Sequence, residues 1–248
     1  NAGVVATDVT GVGTARYGSA GCEYGGDKGI FGFGYGTGNT AVTNLVTNAG
    51  VIGTDVTGVG TARNGPGACG YGEDKGIFGF GYTTGSVGMT NLLSSSGVVA
   101  TDVTAVGTAR YGPAACEYGE DKGIFGFGST GSHVSMTNLV SNAGVVATDV
   151  TGVGTARSYL MACGYGYDKG IFGFGTTGSY TAVTNLVSNA GVVATDVTGV
   201  GTAREAPGAT QYAGDKGIFG YGFDGSSLSM TNLVSNAGVV GTDVTGVG

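Results

Sequence analysis

The sequence predicts an all-β fold, a five-bladed β-propeller, and three observations lead to that prediction. The chain of 248 residues repeats itself every 47 residues, and a strict period of that length is typical of repeat architectures. Nothing in a repeat has the 3.6-residue periodicity of a helix, whereas short segments separated by Gly, Asn and Ser indicate strands. One of these strands has a bulky face and a nearly flat face, which favours stacking of each repeat on the next.

Each repeat is expected to form one four-stranded sheet. In residues 111–157, the third copy, the strands are predicted at 114–118, 122–128, 134–140 and 145–151. Gly119-Glu120-Asp121 supplies a tight turn between the first two strands. Ser-Asn-Ala-Gly supplies a second turn, between the last two.

The second strand predicts how the sheets pack. Phe125 and Phe127 are expected on one face, opposite a face of Ile124 and glycines. The same pattern recurs at Phe31 and Phe33, Phe78 and Phe80, Phe172 and Phe174, and Phe219 with Tyr221. A single small sheet cannot bury its aromatic side chains, but it can stack them on the glycine face of its neighbour. Radial stacking of such sheets gives a propeller.

Residues 1–248 are predicted to form one domain. Its repeats are 17–63, 64–110, 111–157, 158–204 and 205–248, and residues 1–13 form an extra outer strand that duplicates 236–248. The two copies would compete for one position in a closed ring, and the displaced copy would then pair with a neighbouring molecule. The alternative is a longer repeat array of which this chain is a part. The chain begins with Asn1 and shows no signal-peptide pattern, so processing is a further possibility.

Composition excludes several classes of protein. Glycine accounts for 55 residues, but without the strict triplet of collagen. Charged residues make up 11 % and hydrophobic residues 41 %, the opposite of a disordered chain. No run approaches the roughly 20 apolar residues of a membrane span. The net charge of −7 and the absence of a basic patch make nucleic acid an unsuitable partner.

The order of elements resembles the kelch repeat. An arginine is followed by a strand of small residues, an aromatic strand ending in glycines (DKGIFGFG), a polar strand and a Val-rich strand. The resemblance covers the whole chain, but an aromatic residue splits the double glycine and the usual late tryptophan is absent. The TNLVSNAGVVATDVTGVGTAR segment also resembles low-divergence repeats of phage and environmental proteins. Kelch-type propellers include both enzymes and binding modules, so the resemblance implies a fold and no single function.

Four cysteines occupy one equivalent position in the first strand. They are Cys22, Cys69, Cys116 and Cys163, and the fifth copy has Thr210 there. The spacing matches neither a zinc motif nor a local disulfide framework. We expect reduced thiols that fill a core, with a metal or redox ring as the alternative. No cofactor and no metal site are predicted.

Three further series of residues recur in the repeats. A tyrosine precedes the first turn at Tyr24, Tyr71, Tyr118, Tyr165 and Tyr212. These rings either pack in the core or form a set of low-affinity sugar-stacking platforms. Arginines and the aspartates of the Thr-Asp pairs are expected to make repeated structural pairs: Arg16, Arg63, Arg110, Arg157 and Arg204 with Asp8, Asp55, Asp102, Asp149 and Asp196. The alternative for the arginines is a ligand-binding ring.

No catalytic site is predicted. The copies depart from one another at His133, residues 158–161, residues 205–207 and residues 223–225. His133 has no evident Ser or Cys partner in the sequence, and no departure assembles an acid/base pair. We therefore expect a protein that is not an enzyme.

Two functional hypotheses remain. The first is a structural or interaction protein, a building block of an extracellular, virion or cell-surface assembly or filament, whose partners are other copies of itself or a surface protein. The second is a multivalent lectin, in which equivalent weak sites for glycans gain avidity. A Gly/Ser/Thr-rich, charge-poor surface favours an extracellular location for either. Ordered polymers would support the first hypothesis, and discrete discs that bind glycans the second.

Overall fold

The computed structural model describes residues 10–246 as five antiparallel sheets in succession, one for each repeat. Each sheet has three strands, with the second strand in the middle. Residues 10–246 form no helix, and the all-β prediction is confirmed. The strands are β1 Ala20–Tyr24, β2 Lys28–Gly32, β3 Thr43–Val46, β4 Gly67–Tyr71, β5 Lys75–Gly79, β6 Thr90–Leu93, β7 Ala114–Tyr118, β8 Lys122–Gly126, β9 Thr137–Val140, β10 Met161–Tyr165, β11 Lys169–Gly173, β12 Thr184–Val187, β13 Gly208–Tyr212, β14 Lys216–Gly220 and β15 Thr231–Val234.

The fourth predicted strand is reduced to isolated bridges. In the third repeat, Val146 pairs with Val140 and Val150 pairs with Thr137, without a continuous ladder between them. The side chain of Asn138 explains the interruption, because its Nδ2 donates a hydrogen bond to the Ala147 carbonyl at 3.0 Å. A side chain thus takes the place of a backbone donor at this edge of the sheet.

The core lies between successive sheets. Phe125 of β8 is fully buried and packs on Gly79 of the preceding repeat, where a β-carbon would lie 2.8 Å from Phe125 Cζ. The described residues form four such hydrophobic layers, each shared by two neighbouring repeats. Stacking of bulky on flat faces therefore holds the repeats together.

The two phenylalanines of this pattern point in opposite directions, as Phe125 and Phe127 show in the third repeat, so the prediction that they share a face is wrong. Strand β8 ends at Gly126, and Phe127 adopts a left-handed conformation with φ of 62°. This turns its ring toward the following repeat, where it meets Phe172 edge-on with centroids 5.2 Å apart. Phe125 contacts the preceding repeat instead.

The first strands of all five repeats line one cavity of about 690 Å³, which also contacts Phe31 of the first repeat. Neighbouring repeats share backbone hydrogen bonds, such as Gly72 N to Asp121 O at 2.7 Å. Among the described residues, the first and fifth repeats share no backbone hydrogen bond. The predicted extra strand falls mostly on residues 1–9, outside the described range.

Candidate functional site

Buried arginines link each repeat to the next. The guanidinium of Arg63 lies 4.0 Å from the centroid of the Phe33 ring in the first repeat. Its Nε donates to the Phe80 carbonyl of the second repeat at 2.7 Å. Arg110, Arg157 and Arg204 lie over Phe80, Phe127 and Phe174 in the same way. Because these arginines are fully buried, they do not form an exposed ligand-binding ring.

Aspartates complete the arginine sites. Asp102 accepts hydrogen bonds from Thr61 Oγ1 at 2.6 Å and Asn91 Nδ2 at 2.9 Å, and lies 4.0 Å from Arg63 Nη1. Burial raises the pKa of Asp102, but the bonds from Thr61 and Asn91 outweigh it and hold the pKa below its usual value. Burial lowers the pKa of Arg63 to about 10, against the attraction of Asp102.

The arginine-aspartate contact recurs along the chain with a fixed offset. The ion pairs are Arg16 with Asp55, Arg63 with Asp102, Arg110 with Asp149 and Arg204 with Asp243. Burial lowers the pKa of Arg157 to about 10, and the charge of Asp196 opposes this shift. Asp8, which sequence reasoning placed in this series, lies outside the described residues. Every partner in these contacts belongs to the chain itself.

The recurring tyrosines are covered in four of the five repeats. Tyr24, Tyr71, Tyr118 and Tyr165 are each at most 5 % exposed. The next repeat's hairpin covers them: a β-carbon at Gly97 would lie 3.0 Å from the Tyr24 ring. A sugar cannot stack on a covered ring, so the structure favours the packing interpretation for these four. Tyr212, in the last repeat, is 36 % exposed.

The cysteines face the glycines of the following repeat. A β-carbon at Gly123 would lie 2.6 Å from Cys69 Sγ, so the sulfur fills the space that a glycine leaves. All four thiols are free, and burial raises the pKa of Cys22 and of Cys163 to about 12. Among residues 10–246, no cluster of three or more His, Cys, Asp or Glu side chains has an arrangement suited to a metal ion.

Two glutamates, Glu23 and Glu117, line the cavity formed by the first strands. Burial raises the pKa of Glu117 to about 7, and the neighbouring charge of Glu23 adds to this effect. Burial also raises the pKa of Glu23. Sequence reasoning did not single out these residues, because the equivalent positions are Gly70, Gly164 and Gln211 in the other copies. The cavity therefore holds proton-binding groups that the repeat pattern does not reveal.

The sequence analysis found no partner for His133, but the structure places one beside it. Ser158 Oγ lies 3.1 Å from His133 Nδ1, although the two are 25 residues apart in the chain. Ser158 is 1 % exposed and therefore out of reach of a substrate. His133 and Asp149 both line a shallow surface groove. Asp149 accepts hydrogen bonds from Thr108 and Asn138. The pair lacks the accessible nucleophile that covalent catalysis requires.

Two exposed surfaces stand out at the first and fifth repeats. We call the side of a repeat that contacts the preceding one its leading face, and the opposite side its trailing face. On the first repeat's leading face, Phe31 is 46 % exposed, whereas Phe78, Phe125, Phe172 and Phe219 are fully buried. On the fifth repeat's trailing face, Tyr221 is 56 % exposed, whereas its four phenylalanine counterparts are buried.

A third surface, missed by sequence reasoning, gathers aromatic side chains from all five repeats. It lies at the end of the sheets opposite the hairpins that carry the Asp-Lys pairs. We call it the aromatic face, and its members are Tyr17, Tyr35, Tyr82, Tyr111, Tyr159, Tyr180 and Phe223. These positions differ between copies, and that variation is the signal that could have identified them.

Comparison of the sequence with protein-family models and with the curated proteins finds no match. The described part of the chain contains no helix that could cross a membrane.

Proposed function

We propose that this chain is a non-enzymatic structural and interaction protein, a propeller-type repeat unit that assembles head to tail with further copies of itself. The exposed leading face of the first repeat and the exposed trailing face of the fifth carry this proposal. They are the two halves of an interface that the described residues form four times. A partner that completes the fifth interface would therefore reuse contacts that the fold already contains.

The two exposed faces complement each other residue by residue. Phe31 corresponds to the phenylalanines that pack on Gly32, Gly79, Gly126 and Gly173, where a β-carbon would lie within 2.7–2.9 Å of a ring atom. The next glycine in that series is Gly220. A β-carbon there would meet no aromatic ring of residues 10–246, and its nearest neighbour would be Thr231 Cγ2 at 3.3 Å. Among the described residues, therefore, no ring packs on Gly220 of the fifth repeat, and the exposed Phe31 of the first packs on no glycine of another repeat.

The hairpins and tyrosines complement each other in the same way. Gly97 of the second repeat lies over Tyr24 of the first, whereas nothing lies within 4 Å of a β-carbon at Gly50. Tyr212 is the uncovered tyrosine that a copy of the Gly50 hairpin would reach. Burial of such apolar area on association is favourable by about 25 cal/mol per Å² before the entropic cost of binding.

The exposed trailing face is more polar than its internal counterparts. The fifth repeat has Thr210 where the others have cysteine, and Tyr221 where they have phenylalanine. Hydroxyl groups at these positions reduce the cost of contact with water when the face is uncovered. This supports a face that exists both free and bound, as a reversible head-to-tail contact requires.

The same complementarity could be satisfied within one chain by closure into a five-bladed ring, with repeats 1 and 5 as neighbours. We favour contact between chains because the two faces remain exposed in the structure even though both repeats line one cavity. A head-to-tail contact that does not close generates a filament. The charge-poor surface suits an extracellular, virion or cell-surface assembly of this kind.

Light scattering across a range of protein concentrations tests the proposal. We expect the mass to rise with concentration in multiples of 24.1 kDa. Phe31→Asp should hold the chain as a monomer, since it places a charge in the apolar contact. The control Val145→Asp changes an apolar residue of the third repeat that is 64 % exposed and belongs to neither end face, and it should assemble like the wild type. A wild type that stays monomeric at high concentration would contradict the proposal and favour closure within one chain.

A further inference from the structure

The aromatic face combines ring surfaces that lie close together and remain accessible. Tyr17 is 69 % exposed, Tyr82 40 % and Tyr159 44 %. Tyr111, which is half-buried, lies between two of them, with centroid distances of 5.9 Å to Tyr82 and 5.9 Å to Tyr159. Tyr17 and Tyr35 form a neighbouring pair at 5.5 Å. Of the 13 tyrosines of the chain, six belong to this face.

Tyr159 is held in a conformation that tyrosine rarely adopts. Its φ is 51°, in the left-handed region, where the first three copies have Gly18, Gly65 and Gly112. Unfavourable backbone conformations of this kind cluster at functional sites. Replacement of a glycine by a bulky residue at this point adds a ring beside Tyr111, and the fold alone does not require it.

Polar residues lie beside the rings in the backbone pairing, where Asn64 pairs with Tyr82, and Ser129 pairs with both Tyr111 and His133. Asn64 Nδ2 donates a hydrogen bond to Asn39 Oδ1 at 2.7 Å, and His133 Nδ1 lies 3.1 Å from Ser158 Oγ. Asn39 of the first repeat and His133 of the third occupy equivalent positions. Each contacts a residue of the following repeat, so each pair bridges two neighbouring repeats. These groups provide hydrogen-bond donors and acceptors at the edge of the aromatic cluster.

The aromatic face is nearly free of charge. The lysines lie at the opposite end of the sheets, each paired with the preceding aspartate, as in Lys122 with Asp121 at 2.5 Å. Arg63, Arg110, Arg157 and Arg204 lie next to the face in sequence, but their side chains are buried. The acidic residues Glu205 and Asp224 belong to the fifth repeat. A neutral ligand therefore suits the first four repeats best.

We propose that the aromatic face binds a neutral carbohydrate, with the sugar rings stacked on Tyr111, Tyr159 and Tyr82. Tyrosine offers an apolar ring with a polar tip, which matches the alternating C–H and hydroxyl surfaces of a sugar. The neighbouring Asn64 and His133 supply hydrogen bonds to hydroxyl groups. This site differs from both end faces, so glycan binding and assembly are separate properties of the molecule.

An array of immobilised neutral oligosaccharides, built from glucose, galactose, mannose and N-acetylglucosamine, tests this proposal. We expect the wild type to bind at least one of these probes. Tyr111→Ala should weaken that binding about tenfold, the loss of roughly one aromatic contact. Tyr159→Gly should weaken it similarly while retaining the fold, because glycine occupies this position in three other copies. The control Tyr167→Ala removes an exposed tyrosine of the same repeat at the opposite end and should not change binding.

Two results would overturn the proposal. The first is a wild type that binds none of the oligosaccharides, including the case in which it binds proline-rich peptides on a parallel array. The second is Tyr159→Gly and Tyr111→Ala variants that bind as tightly as the wild type. Phe31→Asp should bind the same probe as the wild type at equal site concentration, which separates this site from head-to-tail assembly.

Discussion

Phe125 of the third repeat packs directly over Gly79 of the second, so closely that a β-carbon at Gly79 would lie 2.8 Å from Phe125 Cζ. The same relationship joins every pair of successive repeats among the described residues. The ring of one repeat and the missing side chain of its neighbour therefore form one structural unit.

Phe125→Ala should destabilise the chain far more than Phe31→Ala. Phe125 is fully buried, whereas Phe31, at the same position of the first repeat, is 46 % exposed. Loss of a buried phenylalanine costs about 3–5 kcal/mol in the free energy of unfolding. Urea denaturation of dilute protein measures both values. Equal, small effects at the two positions would show that the repeats do not stack in this way.

Gly126→Ala should destabilise the chain, and Gly220→Ala should be tolerated. A β-carbon at Gly126 would lie 2.7 Å from Phe172 Cζ, but one at Gly220 meets Thr231 at 3.3 Å. Overpacking of this kind costs about 1–3 kcal/mol. Thermal unfolding of the two variants, followed by circular dichroism, provides the comparison. A Gly126→Ala variant that unfolds at the wild-type temperature would contradict the close packing of Phe172 on this glycine.

The sequence predicted the repeat, the first two strands of each sheet and the contact of aromatic rings with glycines. The predicted strand 114–118 coincides with β7. The direction of Phe127 was not predictable from alternation, because its left-handed backbone ends the strand one residue earlier. The length of the fourth strand was overestimated. Its Val-rich pattern does not reveal that the Asn138 side chain donates a hydrogen bond to the Ala147 carbonyl.

The surfaces were harder to predict than the fold. A recurring residue such as Tyr118 indicates a shared structural role, and it is 4 % exposed. The residues of the aromatic face occupy positions where the copies differ; the position of Tyr111 in the third repeat, for example, holds Ser158 in the fourth. Their proximity depends on contacts between repeats, which no single copy reveals. The pairing of His133 with Ser158 was missed for the same reason.

Glu117→Gln should remove part of the pH dependence of stability. The folded chain raises the pKa of Glu117 from 4.5 to about 7, chiefly by burial. The folded state then binds a proton more tightly than the unfolded state, so stability falls as the pH rises from about 4.5 to about 7. Over this pH range the free energy of unfolding falls by about 3 kcal/mol at most. Chemical denaturation across this pH range should show a shallower slope for Glu117→Gln than for the control Glu120→Gln, which changes an exposed residue. Identical slopes would contradict this assignment.

The four thiols should react slowly in the folded chain. Burial raises the pKa of Cys22 and Cys163 to about 12, and the thiolate is the reactive form. We expect a thiol reagent at pH 8 to modify few sites in the native protein. After denaturation without reductant, it should modify all four, and elemental analysis should find no stoichiometric metal. Fewer titratable thiols, or bound zinc or iron, would overturn the assignment of these residues as core fillers.

Mixing two variants, each blocked at one end face, tests head-to-tail assembly most directly. Phe31→Asp blocks the leading face of the first repeat, and Gly220→Leu fills the place for a ring on the trailing face of the fifth. Each variant keeps the complementary face intact, so a heterologous contact predicts monomers for each alone and a one-to-one dimer of about 48 kDa in the mixture. Native mass spectrometry distinguishes these species. A mixture that remains monomeric at concentrations where the wild type assembles would contradict the proposed interface.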